Sequence, residues 1–514
     1  MKSKITAIIL ASFVLFVSSC TKQGITSILN VPGNILPNPP VIKPNQVFFA
    51  ISSSNQLLRL NANNSETVQA SVNITGLQVG ETILGIDFRP ATGELYGLGS
   101  SSRLYIINLS TGASRTINAT PFAPALTGTS VGFDFNPTVD RIRVVGNDGQ
   151  NLRLNPETGL VAASDGAING VAGALVTSVA YTNNSAGATS TTLYDIEIST
   201  KKLYKQNPPN NGTLAEVGDL GVAASASGGF DISPDGTVAL ATLNVGGETG
   251  LYRIDTLSGK ATRLGNFGSA GASLIGIAIP TTPVAYAVDN ANTLLIINPL
   301  INTTPVSKAI TGIGAGESIL GIDMRPLNGQ LYALGSTSRL YTINLSSGAA
   351  TPVGAAGLFT LAGTNFGIDF NPTVDRIRLV SNTGQNLRLN PTDGSLSATD
   401  ASLNPGTPDV SAAAYTNNFA GATTTVLHVI DATADRLYTQ NPPNNGTLVM
   451  TGPLGIDITG SNGFDIGSTS GIAVGIFTVG GVSSLYTVNL ASGTATKGFD
   501  LNLNIRGFSL GLGF

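Results

Sequence analysis

Six aspartates stand at one position of a recurring pattern, apolar-Gly-apolar-Asp-apolar. It is written LGIDF at 84–88, VGFDF at 131–135 and LGIDM at 320–324, with close variants at 228–232, 366–370 and 462–466. The residues are Asp87, Asp134, Asp231, Asp323, Asp369 and Asp465. Carboxylates gathered on one axis suit Ca²⁺, which takes about six to eight oxygen ligands, or a sugar. Two of them at roughly 5–5.5 Å, or at roughly 6.5–9.5 Å, would suit glycoside hydrolysis. The bland reading is structural: a buried Asp accepts hydrogen bonds from a neighbouring repeat's turn, because buried polar groups need partners. The Gly two residues earlier on the same strand face would leave room for that turn.

A second constellation is the densest charge in the chain. Asp140-Arg141-Ile142-Arg143 with Arg153 returns as Asp375-Arg376-Ile377-Arg378 with Arg388. Arg141 and Arg143 point the same way on a strand, and Arg153 could join them from the next strand. Such a fork fits a carboxylate or sulfate, for instance on an acidic glycan. The bland reading pairs Asp140 with an Arg inside its own repeat. Two turn-rich segments also repeat, Tyr181–Asn184 as Tyr415–Asn418 and Gln206–Leu214 as Gln440–Leu448. Asn-Pro-Pro-Asn-Asn-Gly is turn chemistry first, although loops on rigid scaffolds often bind ligands.

The rare residues exclude much. The chain has one His, His428, one Cys, Cys20, and no Trp among 514 residues. Zinc sites built from His and Cys, a Ser-His-Asp triad in each repeat, and thiol chemistry are all disfavoured. His428 replaces Tyr194 of the first copy and reads as packing. The formal net charge is −4 with no basic stripe, so the footprint of a nucleic-acid binder is missing. Cys20 ends a segment with Lys2 and Lys4, a short apolar run and Val17-Ser18-Ser19-Cys20. That order reads as a lipoprotein signal over 1–20, with Cys20 acylated and the signal removed. Residues 21–46, with five prolines, read as a tether. The expected location is the bacterial cell envelope, periplasmic or surface-exposed, with the membrane as partner through the N-terminal lipid. No cofactor is expected beyond a Ca²⁺ option.

These side chains must be positioned by short strands. Hydrophobic residues make up 42% of the chain and charged residues 11%, against about 25% in an average soluble domain. The chain is also written twice: VGFDFNPTVDRIRVVGNDGQNLRLNP at 131–156 returns as FGIDFNPTVDRIRLVSNTGQNLRLNP at 366–391. Within each copy the Asp-bearing pattern recurs, with Thr182 and Ala278 taken as filling the vacant Asp positions of the first copy and Thr416 and Ser509 those of the second. Between markers, runs such as Glu94–Leu98, Arg103–Asn108 and Ser114–Asn118 alternate and are separated by Gly-, Ser- and Thr-rich turns, the signature of strands. Four strands per repeat of this length is a propeller blade. An all-β propeller of ten four-stranded blades follows, with a first module at 47–280 and a second at 284–514. Each module begins at a blade's second strand and ends on a first strand, so its last strand should complete its first blade and close a ring. Two five-bladed propellers in tandem are favoured, because packing faces cut for five blades would not suit ten. The short link at Pro280–Pro283 supports the alternative, one ten-bladed ring. Two one-residue deletions in the second copy should fall in loops.

At DFNPTVDRIR and GQNLRLNP, with ILGIDFRP, YTNN and GFDI around them, residues 47–514 resemble two copies of the bacterial domain-of-unknown-function family numbered 4394. The resemblance implies a β-propeller in an extracytoplasmic protein and carries no catalytic residues. The expected function is therefore a lipid-anchored, non-enzymatic binding or interaction module for a glycan or an envelope protein. The alternatives are an extracellular enzyme acting on glycans or esters through the Asp residues or Ca²⁺, and a purely structural envelope component. Shared loops and charges would make the chain bivalent.

Overall fold

The computed structural model describes residues 41–267 and 274–514. The signal, Cys20 and most of the tether lie outside the described residues. Among those described, forty strands form ten four-stranded antiparallel sheets, and helix is limited to two single 3-10 turns, Pro209–Asn211 and Pro443–Asn445. The chain is an all-β propeller protein.

The sheet that follows Asp87 shows how sequence dictates the strands. Ile83–Phe88, Leu95–Gly99, Arg103–Ile107 and Ser114–Thr116 pair in chain order. The intervening turns place Gly93, Ser102 and Gly112 at φ 77°, 62° and 71°. Glycine takes that left-handed conformation without steric cost, and a short polar residue tolerates it in a turn. Burial falls across the sheet: Leu95–Gly99 is buried throughout, whereas Ser114–Thr116 is half-buried at every residue.

Each inner strand packs between two neighbouring sheets. Phe133 and Phe135 of Val131–Asn136 fill one interface with Tyr96, Leu98, Leu104 and Val144. Tyr96 meets Phe135 edge-on at 5.1 Å between centroids, and Tyr332 meets Phe370 at the same distance in the second copy. Such pairs contribute about 0.5–1.5 kcal/mol beyond their area.

Closure follows the expected phase. The sheet holding Val47–Ser52 is completed by Leu274–Ala278, with Phe49 opposite Ala278. The sheet holding Ala285–Asp289 is completed by the last strand, Ile505–Leu510, with Tyr286 opposite Ser509. In the first copy the inner strands Ile83–Phe88, Val131–Asn136, Val176–Tyr181, Ala224–Ile232 and Leu274–Ala278 lie side by side in that order, and Leu274–Ala278 returns to lie against Ile83–Phe88. Ile319–Arg325, Phe366–Asn371, Val410–Tyr415, Gly460–Ile466 and Ile505–Leu510 make the same circuit in the second copy. The last strand of each copy thus brings its first sheet to four strands.

The glycines of the Asp pattern serve the strands and not a turn. A Cβ on Gly85 would stand 2.8 Å from Phe133 Cβ, and one on Gly132 would stand 2.8 Å from the Val179 backbone nitrogen. Removing the side chain lets adjacent inner strands approach. The two deletions in the second copy fall outside strands, one in 117–130 and one in 170–175 of first-copy numbering.

The two copies touch through the turns that follow their inner strands. Arg89 Nη1 donates to the Gly329 carbonyl, Arg115 Nη2 to the Pro326 carbonyl and Tyr286 Oη to the Ala91 carbonyl. Gln330 Nε2 donates to Glu157 Oε2, and the Gly513 amide to the Thr92 carbonyl.

Candidate functional site

The register corrects the count of the Asp pattern. Asp87 lies opposite Tyr96, Asp134 opposite Arg143 and Asp231 opposite Leu240, while Ala180 lies opposite Tyr194 and Ala278 opposite Phe49. The position equivalent to Asp in the third inner strand is thus Ala180, not Thr182, which lies beyond the strand's end. In the second copy it is Ala414, not Thr416. Without a marker Asp, no residue type in Val179–Asn183 fixes which residue takes that position.

Three aspartates per circuit converge. Asp87, Asp134 and Asp231 each bring a carboxylate oxygen within 4.8 Å of the others, as do Asp323, Asp369 and Asp465, and all six residues are 1% exposed. Their partners are the backbone amides one residue past each Asp-equivalent position. Asp87 accepts from Phe88 and Phe135, both at 2.7 Å, and Asp134 Oδ1 accepts from Tyr181 at 3.0 Å. Asp231 accepts from Ile232 at 2.6 Å and Ile279 at 2.5 Å. Each copy's five inner strands offer five such amides, and three carboxylates serve all five in the first copy. The hydrogen-bonded reading therefore holds, with the donors coming from the Asp's own strand and from other inner strands in place of a turn.

The second circuit repeats the scheme through Ser509. Asp323 accepts from Phe370, Asp369 Oδ1 from Tyr415, and Asp465 from Ile466 and Leu510. The Met324 amide donates to Ser509 Oγ, which stands 3.1 Å from Asp323 Oδ1 and 3.3 Å from Asp465 Oδ2. Burial, reinforced by the neighbouring aspartates, holds Asp87, Asp134, Asp323 and Asp369 well above the usual carboxylate range. Burial pushes Asp231 and Asp465 up to about 7. These carboxyls are close enough for acid–base work on a glycosidic bond, but their burial keeps a polymeric substrate away.

The arginine forks are filled by the protein itself. Arg143 and Arg153 are directly opposed, as are Arg378 and Arg388, and each pair closes on one aspartate. Arg153 grips Asp165 through Nε at 2.7 Å and Nη2 at 2.9 Å, while Arg143 Nη1 reaches the same carboxylate at 2.6 Å. Arg378 and Arg388 hold Asp400 likewise. Arg143, 1% exposed, also donates to Asn151 Oδ1 and Asn210 Oδ1, as Arg378 does to Asn386 and Asn444. The Asn-Pro-Pro-Asn-Asn-Gly loop thus docks onto the preceding sheet. Arg141 and Arg376 turn away and donate to the carbonyls of Asp140 and Asp375. Asp140 pairs with Arg89 of the preceding sheet and not with an Arg of its own; Asp375 pairs with Arg325. Free anion binding at these arginines is therefore disfavoured by geometry.

A cavity of ligand size opens where the copies meet. It measures about 390 Å³ and is lined by Glu94, Ile107, Leu109, Arg115, Phe419 and Leu512, among others. Phe419 is 38% exposed, and Glu94 Oε2 is buried without a hydrogen-bond partner among the described residues. Burial raises the Glu94 carboxyl, with Arg115 and Arg89 opposing the shift. Repeat reasoning missed this place because it draws different residues from each copy: Ser185 occupies the first-copy position of Phe419.

With this geometry in view, comparison with known proteins is informative about lineage. The model of the family described as Domain of unknown function (DUF4394) matches residues 56–278 and again 293–509. The chain belongs to this family. The two DUF4394 regions coincide with the two strand circuits described above. A comparison with curated proteins finds no match. Among solved structures, the Dos1 propeller is 13% identical, with 66% of this chain and 90% of that chain covered and a TM-score of 0.25. PorZ, a surface component of the type-IX secretion system of Porphyromonas gingivalis, is 14% identical, with 89% of this chain covered and a TM-score of 0.27. The chain spans 58% of PorZ.

Proposed function

We propose that this DUF4394 protein is a lipid-anchored, extracytoplasmic binding module whose ligand seat is the cleft between its two copies. The observation that carries the reading is the cavity of about 390 Å³ with an exposed Phe419, a cationic Arg115 and an unpartnered Glu94 oxygen. Sites of this size, apolar with a few convergent polar groups, occur preferentially at domain interfaces. The two circuits, each closed by its own last strand, support a grouping into two five-bladed propellers, and the cleft is then unique to their junction. The chain would bind one ligand there and not two.

The chemistry of the lining favours a glycan carrying peptide or carboxylate groups: a ring face for Phe419, an anion for Arg115 and a donor for Glu94. Acylation of Cys20 would hold the module at the membrane. The burial of the axial carboxylates and the saturation of the arginine forks speak for binding over hydrolysis.

A thermal-shift panel on the mature chain tests the reading, with peptidoglycan fragments beside neutral and acidic glycans. A ligand at a hundredfold its Kd should stabilise by about 2.7 kcal/mol. Phe419→Ser, which restores the first-copy residue at an exposed position, should remove the shift without lowering the ligand-free Tm. Silence across the panel, or a shift unaffected by Phe419→Ser, would refute the placement.

A further inference from the structure

Each circuit ends its hydrogen-bond bookkeeping with one oxygen too many. In the first copy three carboxylates supply six oxygens, and the five inner-strand amides satisfy all but Asp134 Oδ2. That oxygen is buried and has no partner among the described residues. The second copy leaves the equivalent oxygen, Asp369 Oδ2, in the same state, although its amides are served differently, through Ser509. Two copies that have diverged in their donors and still strand the same oxygen point to something other than protein opposite it. The backbone cannot supply it, since each inner strand has already spent its inward amide.

Charge leads to the same place. Three carboxylates share oxygens within 4.8 Å, with no Arg or Lys among their hydrogen-bond partners. An uncompensated buried charge is costly, and buried charges are ordinarily paired or coordinate metals. An ion at the centre of such a triangle would sit at a separation compatible with the roughly 2.3–2.6 Å of calcium–oxygen bonds. A carboxylate oxygen that accepts one amide retains a second lone pair for a metal.

We propose that each circuit holds one calcium-class divalent cation on its axis, ligated by Asp87, Asp134 and Asp231 in the first copy and by Asp323, Asp369 and Asp465 in the second. The ions are structural. Each offsets two of the three charges on the carboxylates that staple neighbouring inner strands, and it enters as the strands assemble, because the ligands are buried in the folded chain.

Metal analysis of the mature chain tests this. Because the sites are sealed, the protein is unfolded, refolded with either CaCl₂ or EGTA, and dialysed before measurement. The calcium-refolded chain should retain about two equivalents, given one hard-ligand site per circuit, and melt at a higher temperature than the EGTA-refolded chain. Asp134→Asn keeps the acceptor for the Tyr181 amide and removes the charge, so it should lose one equivalent. Asp369→Asn should lose the other, and the double variant both. Should a variant fail to refold, Tb³⁺ luminescence sensitised by the tyrosines of the unaltered chain gives the stoichiometry. Less than stoichiometric calcium in the unaltered chain, together with equal melting after both refoldings, would overturn the proposal and leave protons as what the carboxylates share.

Discussion

Asp195 offers a sharp test of how this fold treats an unpaired carboxyl. It lies in Leu193–Glu197, opposite Val179 and Tyr204, and is fully buried with no partner on either oxygen among the described residues. Burial raises its pKa well above 3.8, and Arg143 across the sheet interface offsets this only in part. The second copy carries Val429 at the same register, opposite Ala413 and Tyr438. Asp195→Val should therefore stabilise the chain at neutral pH. The sign follows from linkage: above pH 3.8 the unfolded carboxyl ionises while the native one keeps its proton, so the native state binds more protons and stability falls as pH rises. Relative to the variant, the parent should lose about 1.4 kcal/mol per pH unit from near pH 4 until its native pKa is reached, and then run parallel. Urea unfolding followed by tyrosine emission, at half-unit steps from pH 4 to 8, measures the difference. The reasoning is refuted if the two curves are parallel throughout, or if the variant is the less stable above pH 5. Either would mean that Arg143 holds Asp195 as a charged pair. The reciprocal Val429→Asp should destabilise with the same slope.

The remaining predictions concern other parts of the fold. Burial lowers the His428 pKa to about 4 from 6.5, so stability should be lost as pH falls from 6.5 to about 4, by at most about 3 kcal/mol; His428→Tyr, the first-copy residue, should flatten that limb of the denaturation profile. Asp165→Ala strands Arg143 without its carboxylate and should cost about 3–5 kcal/mol, read as a drop in urea midpoint. Gly132→Ala drives a methyl into Val179 and should cost about 1–3 kcal/mol or more by overpacking, visible as a lowered Tm.

The architecture was legible in the sequence because it depends on local patterns: alternating strands, turn residues and a marker every blade. Even the closing strand could be inferred, since a module that opens without a first strand must end with one. The site was legible only in part. Asp87, Asp134 and Asp231 could be placed on one strand position, but their donors are backbone amides, which look alike in any sequence. Arg143 and Arg153 could be brought together, yet their partner Asp165 lies on the loop after the outer strand, where nothing in the residue types marks it. The Ala180 position was hidden because Ala stands there in place of the marker Asp, so residue types alone do not fix the register of Val176–Tyr181.

Duplication acts differently on the two kinds of feature. A feature built within one circuit can be copied with it, and the carboxylate triad, the filled arginine fork and its docked loop each occur twice. The junction cannot be copied in that way. It joins turns of one copy to turns of the other, and equivalent residues meet different surroundings there: Arg89 is fully buried and donates to Gly329, while its counterpart Arg325 keeps its side chain 12% exposed. Selection for a ligand would therefore act on junction residues one copy at a time, as the change between Ser185 and Phe419 illustrates. Stability selection would act on both copies alike. A mutational scan of the two copies separates these pressures: substitutions at paired axial and arginine positions should lower Tm in both copies, whereas substitutions at Arg115 and Phe419 should affect ligand response and their repeat partners should not.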